Sequence, residues 1–187
     1  MCGRYIVDDE TERDIRRLAA LYGNSFTLER FGDVLPSQKA AVLTKNFEPH
    51  IMTWGFTGMG GSLLINARGE SVLQKPTFAS HVRERRCLIP AAGFYEWDKA
   101  RVRYTFTGQG TLWMAGFYRQ EEEGQRFVII TVPANELMRP VHDRMPRIFS
   151  EEEASLWIDE KAPVEELLVR PAPVLEKAAP YEQQSLF

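Results

Sequence analysis

At 187 residues the chain is long enough for one domain with a proper core and short for two. Apolar residues make up 44% and charged residues 26%, which are globular proportions, and no run approaches the ~20 apolar residues of a membrane helix. A net charge of −3 argues against a protein that coats nucleic acid by long-range attraction, and two cysteines exclude a secreted disulfide scaffold, so cysteine here serves chemistry or packing.

The opening MCGRYIVDDETERD has neither an apolar signal core nor a cleavage pattern, so the protein is expected to stay in the cytoplasm. Residues 9–22 predict a helix. Asp8 or Asp9 caps it, Ile15, Leu18, Ala19 and Tyr22 recur at helical spacing, and Gly23 ends it. Short β-type runs follow at 40–44, 50–54 and 63–66. Pro76 suits the first turn of a second helix, which carries Phe78 and Val82 inward before the basic Arg83, Arg85 and Arg86. More β-type runs follow at 87–97, 102–107, 111–118 and 126–132, and Ser150-Glu151-Glu152-Glu153 reads as a capping box opening a third helix with Leu156 and Trp157. Strand runs without regular βαβ alternation predict an α+β fold, a single domain on a curved, mainly antiparallel, barrel-like sheet with a few flanking helices. From Arg170 the composition turns Pro-rich, so the domain is placed at 1–169 and a tail at 170–187.

Four separated segments carry chemistry. In the first, Met1-Cys2-Gly3-Arg4, removal of the initiator methionine would expose a cysteine bearing both a free α-amine and a thiol. An α-amine with pKa about 7.7–8.0 is roughly a tenth neutral at pH 7, and a thiol near about 8.5 can be lowered by a cation such as Arg4. An aldehyde meeting that pair can form an imine and then close onto sulfur as a five-membered thiazolidine. A Cys at position 2 by chance is the bland alternative. In the second, Ile65-Asn66-Ala67-Arg68-Gly69-Glu70-Ser71, the Asn66 amide can hold a reacting atom, and Arg68, two residues on, shares its face and can clamp a phosphate. A turn-forming Asn and an ion-paired Arg would explain it equally.

The third segment, Pro90-Ala91-Ala92-Gly93-Phe94-Tyr95-Glu96-Trp97, sets a lone carboxylate, Glu96, in an aromatic strand, which suits a general acid or base. An outward-facing glutamate is the competing reading. In the fourth, Pro140-Val141-His142-Asp143-Arg144-Met145-Pro146, His142 lies in a Pro-bounded charged loop and is the best proton-transfer candidate of three histidines. Arg139, Arg144 and Arg147 form a second basic cluster, which solvated surface alone would account for. Neither Cys nor His has zinc-site spacing, so no metal and no cofactor are expected.

With MCGR at the N-terminus, INARGES near one third, GFYEW at the middle and HDRMP at three quarters, the chain resembles the SRAP family over roughly residues 1–160. The resemblance implies an abasic-site sensor whose processed N-terminal cysteine forms a thiazolidine with the ring-opened sugar in single-stranded DNA. It implies Cys2 as nucleophile, Asn66 positioning the cysteine or sugar, Glu96 handling protons, and His142 assisting at the sugar oxygen. Arg4, Arg68 and Arg144, with Pro36, Trp54, Trp97 and Thr131, would contact DNA. Autoproteolytic loss of Met1 and an AP-lyase side reaction are implied too, as is a place near the nucleoid.

Two features depart from the family. The loop Thr57-Gly58-Met59-Gly60-Gly61 is short and lacks a Pro and a Trp, and the usual C-terminal return pattern is not recognisable in 169–180. The last residues, Gln183-Gln184-Ser185-Leu186-Phe187, resemble a peptide with which bacterial replication proteins bind the sliding clamp, making Gln183, Leu186 and Phe187 candidate partner contacts. A monomer without membrane association is expected. Competing functions are an N-terminal-nucleophile glutamine amidohydrolase, which also begins Met-Cys-Gly, a protease acting on other proteins, and a non-enzymatic single-stranded DNA adaptor.

Overall fold

The computed structural model describes residues 2–28, 31–159 and 163–179. In chain order it forms β1 (Tyr5–Val7), α1 (Asp9–Ala20), β2 (Gly32–Val34), β3 (Lys39–Leu43), β4 (Pro49–Trp54), β5 (Phe56–Thr57), β6 (Leu63–Leu64), β7 (Asn66–Arg68), α2 (Pro76–Glu84), β8 (Arg86–Trp97), β9 (Arg103–Glu121), β10 (Gly124–Pro133), β11 (Arg144–Pro146), β12 (Ile148–Phe149), α3 (Glu151–Ile158), α4 (Val164–Val169) and β13 (Leu175–Ala178). Strands β9, β10, β4, β3 and β8 are bonded in that order, and β8 pairs back onto β9, closing a ring. All pairings are antiparallel except β10 with β4 and with β7. The fold is α+β, a single domain on a curved, mostly antiparallel, barrel-like sheet with four α-helices among the described residues.

Alternation along the strands sorts apolar side chains into two cores. In β3, Ala41 and Leu43 face one way, toward Ile15 and Leu18 of α1, Phe78 and Val82 of α2, Trp157 of α3 and Leu167 of α4. Ala40 and Val42 face the other way, into a core of strand and loop residues that includes Cys2, Tyr5, Trp54, Phe94, Phe127 and Met138. The second core is the inside of the ring, and the helices cover the outside. Double burial is why β8 and β10 read as near-continuous apolar runs rather than as alternating ones.

The local rules hold at the helix ends. The Asp8 carboxylate accepts from Thr11 N–H at 2.9 Å, and Ser150 and Glu153 exchange two 3.2 Å hydrogen bonds in the capping box. The first helix stops at Ala20, leaving Tyr22 exposed, while Gly23 adopts φ +78°. The two runs expected at 102–107 and 111–118 form one bent strand, β9. Its residues 108–111 stand opposite Ala92 alone, and Gly110 absorbs the bend at φ +85°.

The chain also stays on the domain past the boundary expected at 169. After Pro171 and Pro173, which cannot donate to a ladder, the proline-free Leu175–Ala178 pairs with Gly108–Thr105 of β9 and sends Leu175 into the inner core. Among the described residues no helix is long and apolar enough to cross a membrane.

Gly93 shows why the GFYEW strand needs its glycine. It pairs with Ile6 of β1 on one side and Thr107 of β9 on the other, and a Cβ there would lie 2.7 Å from the Phe106 carbonyl oxygen. Gly93→Ala is expected to cost about 2–3 kcal/mol, the upper part of the overpacking range, because backbone rather than a side-chain tip must yield. Urea denaturation should show a lowered midpoint with an unchanged slope, and an unaltered midpoint would contradict the close approach.

Candidate active site

Strand β1 brings the N-terminal residues to the barrel interior. It pairs with β2 and β8, and Tyr95 N–H donates to the Arg4 carbonyl at 3.0 Å. Cys2 is fully buried, with its Sγ 3.9 Å from the Arg4 carbonyl. Asn66, on β7 and in parallel register with Ile129 of β10, donates through Nδ2 to the Cys2 carbonyl at 2.9 Å. Its Oδ1 is buried with no hydrogen-bond partner. That leaves an amide acceptor beside Cys2.

Glu96 is buried near the end of β8, close enough for its charge to act on the Cys2 thiol. Burial first, then the Glu96 charge, pushes that thiol up to about 12. Arg4 does not lower it in the way expected, because its guanidinium is taken by Asp33, with Nε donating to Oδ2 at 2.9 Å, and its carbon lies 5.4 Å from the Tyr95 ring centre. With Met1 in place, Cys2 is a protonated thiol.

His142 enters from the loop between β10 and β11. Ala134, Met138 and Val141 of that loop pack into the same inner core as Cys2, and His142 N–H donates to Met138 C=O at 3.0 Å. The ring Nδ1 stands 2.9 Å from Arg144 N–H and 2.9 Å from Asp143 Oδ1. A neutral ring accepts from the amide and keeps its proton on Nε2; a protonated ring donates to Asp143. Both protonation states therefore have a partner, which suits a group that moves a proton.

Three residues expected at DNA are buried and make internal braces. Trp54 is buried, lies 6.3 Å from Phe127 at an interplanar angle of 7°, and donates through Nε1 to the Ile65 carbonyl at 3.0 Å, fixing the residue before Asn66. Thr131 is buried, and Arg144, 8% exposed, donates to the Thr131 carbonyl at 2.7 Å and to both Glu70 oxygens. The guanidinium holds the Glu70 carboxyl below its usual range. This bond joins the INARGES and HDRMP segments across 74 positions. Arg86 and Arg147 of the basic clusters are buried as well. Arg68 is exposed, Trp97 is 37% exposed and Pro36 is half-buried, so these remain at the surface.

Sequence reasoning passed over Asp33, Glu70 and Tyr5. Glu70 stands inside a motif already singled out and was the one with a sequence signal. Tyr5 Oη is buried without a hydrogen-bond partner, and burial first, then the charges that Cys2 and Cys87 would carry if ionised, oppose its ionisation.

The sequence profile of the SOS response associated peptidase (SRAP) family matches residues 1–183. The chain belongs to the SRAP family. Among SRAP relatives, the abasic site processing protein YoqW of Bacillus subtilis (strain 168) is 30% identical over 190 residues, spanning 86% of this chain and 81% of its own. The abasic site processing protein YedK of Escherichia coli (strain K12) is 27% identical, spanning 84% and 79%. A phage-related protein of Bordetella bronchiseptica, solved by crystallography, superposes with a TM-score of 0.78 at 22% identity, over 95% of this chain and 93% of that one, and shares the fold.

This SRAP domain keeps Cys2, Cys87 and Tyr5 protonated by burying them. A thiol whose pKa rises on folding stabilises the fold fully below its unfolded value, 9.0 for cysteine, and that contribution is lost as pH climbs toward about 12. The urea midpoint is expected to fall steadily between pH 9 and 11, and Cys87→Ala should flatten the fall. A midpoint unchanged to pH 11 would mean that the thiols are not buried in solution.

Proposed function

We propose that this protein senses abasic sites in single-stranded DNA and traps them covalently through Cys2 once Met1 is removed. The observation that carries the reading is the 2.9 Å hydrogen bond from Asn66 to the Cys2 carbonyl beside the buried Glu96, in a chain whose relatives are named abasic site processing proteins. Removal of Met1 moves the α-amine onto Cys2 itself. A positive amine favours thiolate, and shifting it one residue nearer offsets part of the burial that holds the thiol protonated. Processing is thus also activation.

The steps balance without a cofactor. The ring-opened sugar presents an aldehyde; the neutral Cys2 amine adds to it and water leaves, giving an imine. The Cys2 sulfur then adds to the imine carbon, its proton passing to nitrogen, and a thiazolidine closes. Glu96 suits the proton transfers at nitrogen, Asn66 Oδ1 suits the amine or its carbinolamine, and His142 suits the sugar ring oxygen as the ring opens. If β-elimination overtakes closure at the imine stage, an AP-lyase reaction follows. Arg4, Arg68 and Trp97 are the surface candidates for backbone and base contacts, and binding should be short-footprint and salt-sensitive.

The deciding experiment mixes Met1-free protein, verified by intact mass, with single-stranded DNA carrying one abasic site. A covalent band on a denaturing gel is expected without reductant and should vanish for Cys2→Ala, while Glu96→Gln and His142→Ala should slow its formation by about 10²-fold or more. No band with verified free Cys2 would overturn the reading and favour the glutamine amidohydrolase or protease. A band that persists in Cys2→Ala would move the nucleophile elsewhere.

Gln183, Leu186 and Phe187 lie outside the described residues. The proposal that they dock on a bacterial sliding clamp rests on their sequence, an apolar pair after a Pro-rich tether. Deleting residues 183–187 should abolish clamp binding in a pull-down with purified clamp, and equal capture of the full and shortened chains would end it.

A further inference from the structure

Past Asn66 and Arg68 the chain turns at Gly69 and Glu70 beside a cavity of about 500 Å³, within the size range of small-molecule sites. Leu73, Val132, Met145 and Leu168 give it apolar walls, and Arg147 and Arg170 reach it. Arg147 is 1% exposed. Its Nε donates to the Leu167 carbonyl at 2.9 Å, but Nη1 and Nη2 are buried with no hydrogen-bond partner. Burying a guanidinium with unmet donors is costly, and its planar fork matches an oxyanion.

The acids nearby do not meet that need. Glu153 lies 3.8 Å from Arg147 Nη2 and 3.7 Å from Arg170 Nη1, and it also accepts the Ser150 amide in the cap of α3. One carboxylate is divided between two guanidinium groups and a helix end, at distances too long for hydrogen bonds to either arginine. Glu70 is engaged by Arg144, and Glu165 is exposed on the first turn of α4.

We propose that this cavity is an oxyanion-binding pocket that takes a phosphate-bearing nucleotide unit, with the phosphate on Arg147 and Arg170 and the base against the apolar wall. The nucleotide identity rests on the DNA reading above, because the cavity lies just past the C-terminal ends of β7 and β10, the strand pair whose other end carries Asn66. The unit is either a nucleotide flanking the trapped sugar or a free mononucleotide; both present the same chemistry.

Calorimetric titration of the full chain with thymidine 5′-monophosphate, inorganic phosphate and thymidine tests it. The monophosphate should bind, phosphate more weakly, and thymidine not measurably. Arg147→Met should weaken the monophosphate at least tenfold, and Arg170→Gln, at a side chain 41% exposed and so without risk to the core, should weaken it severalfold. Equal binding by both variants, or no binding of either anion by the parent chain, overturns the pocket.

Crosslinking to an abasic oligonucleotide separates the two sources. A tenfold higher half-saturating DNA concentration in Arg147→Met, at an unchanged maximal rate, assigns the pocket to the strand; unchanged crosslinking alongside lost monophosphate binding assigns it to the free nucleotide. Cys2→Ala should still bind the monophosphate. Failure to trap with binding intact therefore refutes only the covalent reading, and trapping without binding refutes only the pocket.

Discussion

Closing the sheet on itself is the constraint on which the rest of the structure depends. Once β8 pairs back onto β9, the interior is closed off from the surface, and any backbone polar group led into it needs a partner. The N-terminal segment is led in by β1, so the Cys2 carbonyl must be met from within, and the Asn66 amide meets it. Asn66 is in turn held from both sides. Trp54 fixes the Ile65 carbonyl before it, and the Arg144–Glu70 bond fixes the turn after Arg68. The arrangement spends a tryptophan, an arginine and a glutamate to place one amide.

That ordering explains what could be read in advance. Helices α1, α2 and α3 announce themselves through local chemistry, a capping aspartate, a first-turn proline and a capping box, and each forms where those residues put it. Cys2 and Asn66 were legible as reactive residue types in short motifs, and the fold joins them. The short strands β1, β2, β11 and β12, of three, three, three and two residues, were not legible because their conformation comes from the neighbours they pair with, not from a pattern of their own. β13 was masked by the prolines around it. The bracing by Trp54, Thr131 and Arg144 was not legible for a related reason: burial and an ion-pair partner 74 positions away leave no trace in the local sequence.

The state of the thiol separates packing from chemistry. Burial suits a cysteine that fills a core, and a cysteine held at about 12 is a poor nucleophile at neutral pH. The same site nevertheless gathers a carboxylate and a free amide oxygen around it, which core filling does not require. These facts are compatible if the site is assembled before it is active, with the fold supplying geometry and the N-terminal amine supplying reactivity when Met1 leaves. On the proposed reading, a premature thiolate inside the barrel would be both destabilising and indiscriminate, and keeping it protonated until processing avoids both.

The distribution of cations points the same way. Of the arginines near the site, Arg4 is held by Asp33 and Arg144 by Glu70 and Thr131. On a chain of net charge −3, long-range attraction of a phosphate backbone is weak, and on the proposed reading each phosphate contact would weaken with salt. A protein relying on charge for its grip on DNA would not commit its arginines to internal bracing. One that holds its target by a covalent bond can, because non-covalent contacts then need only last long enough for an aldehyde to meet an amine. On the proposed reading a weak non-covalent grip would confer selectivity as well: intact strands, which offer no aldehyde, would be released, and the lesion retained.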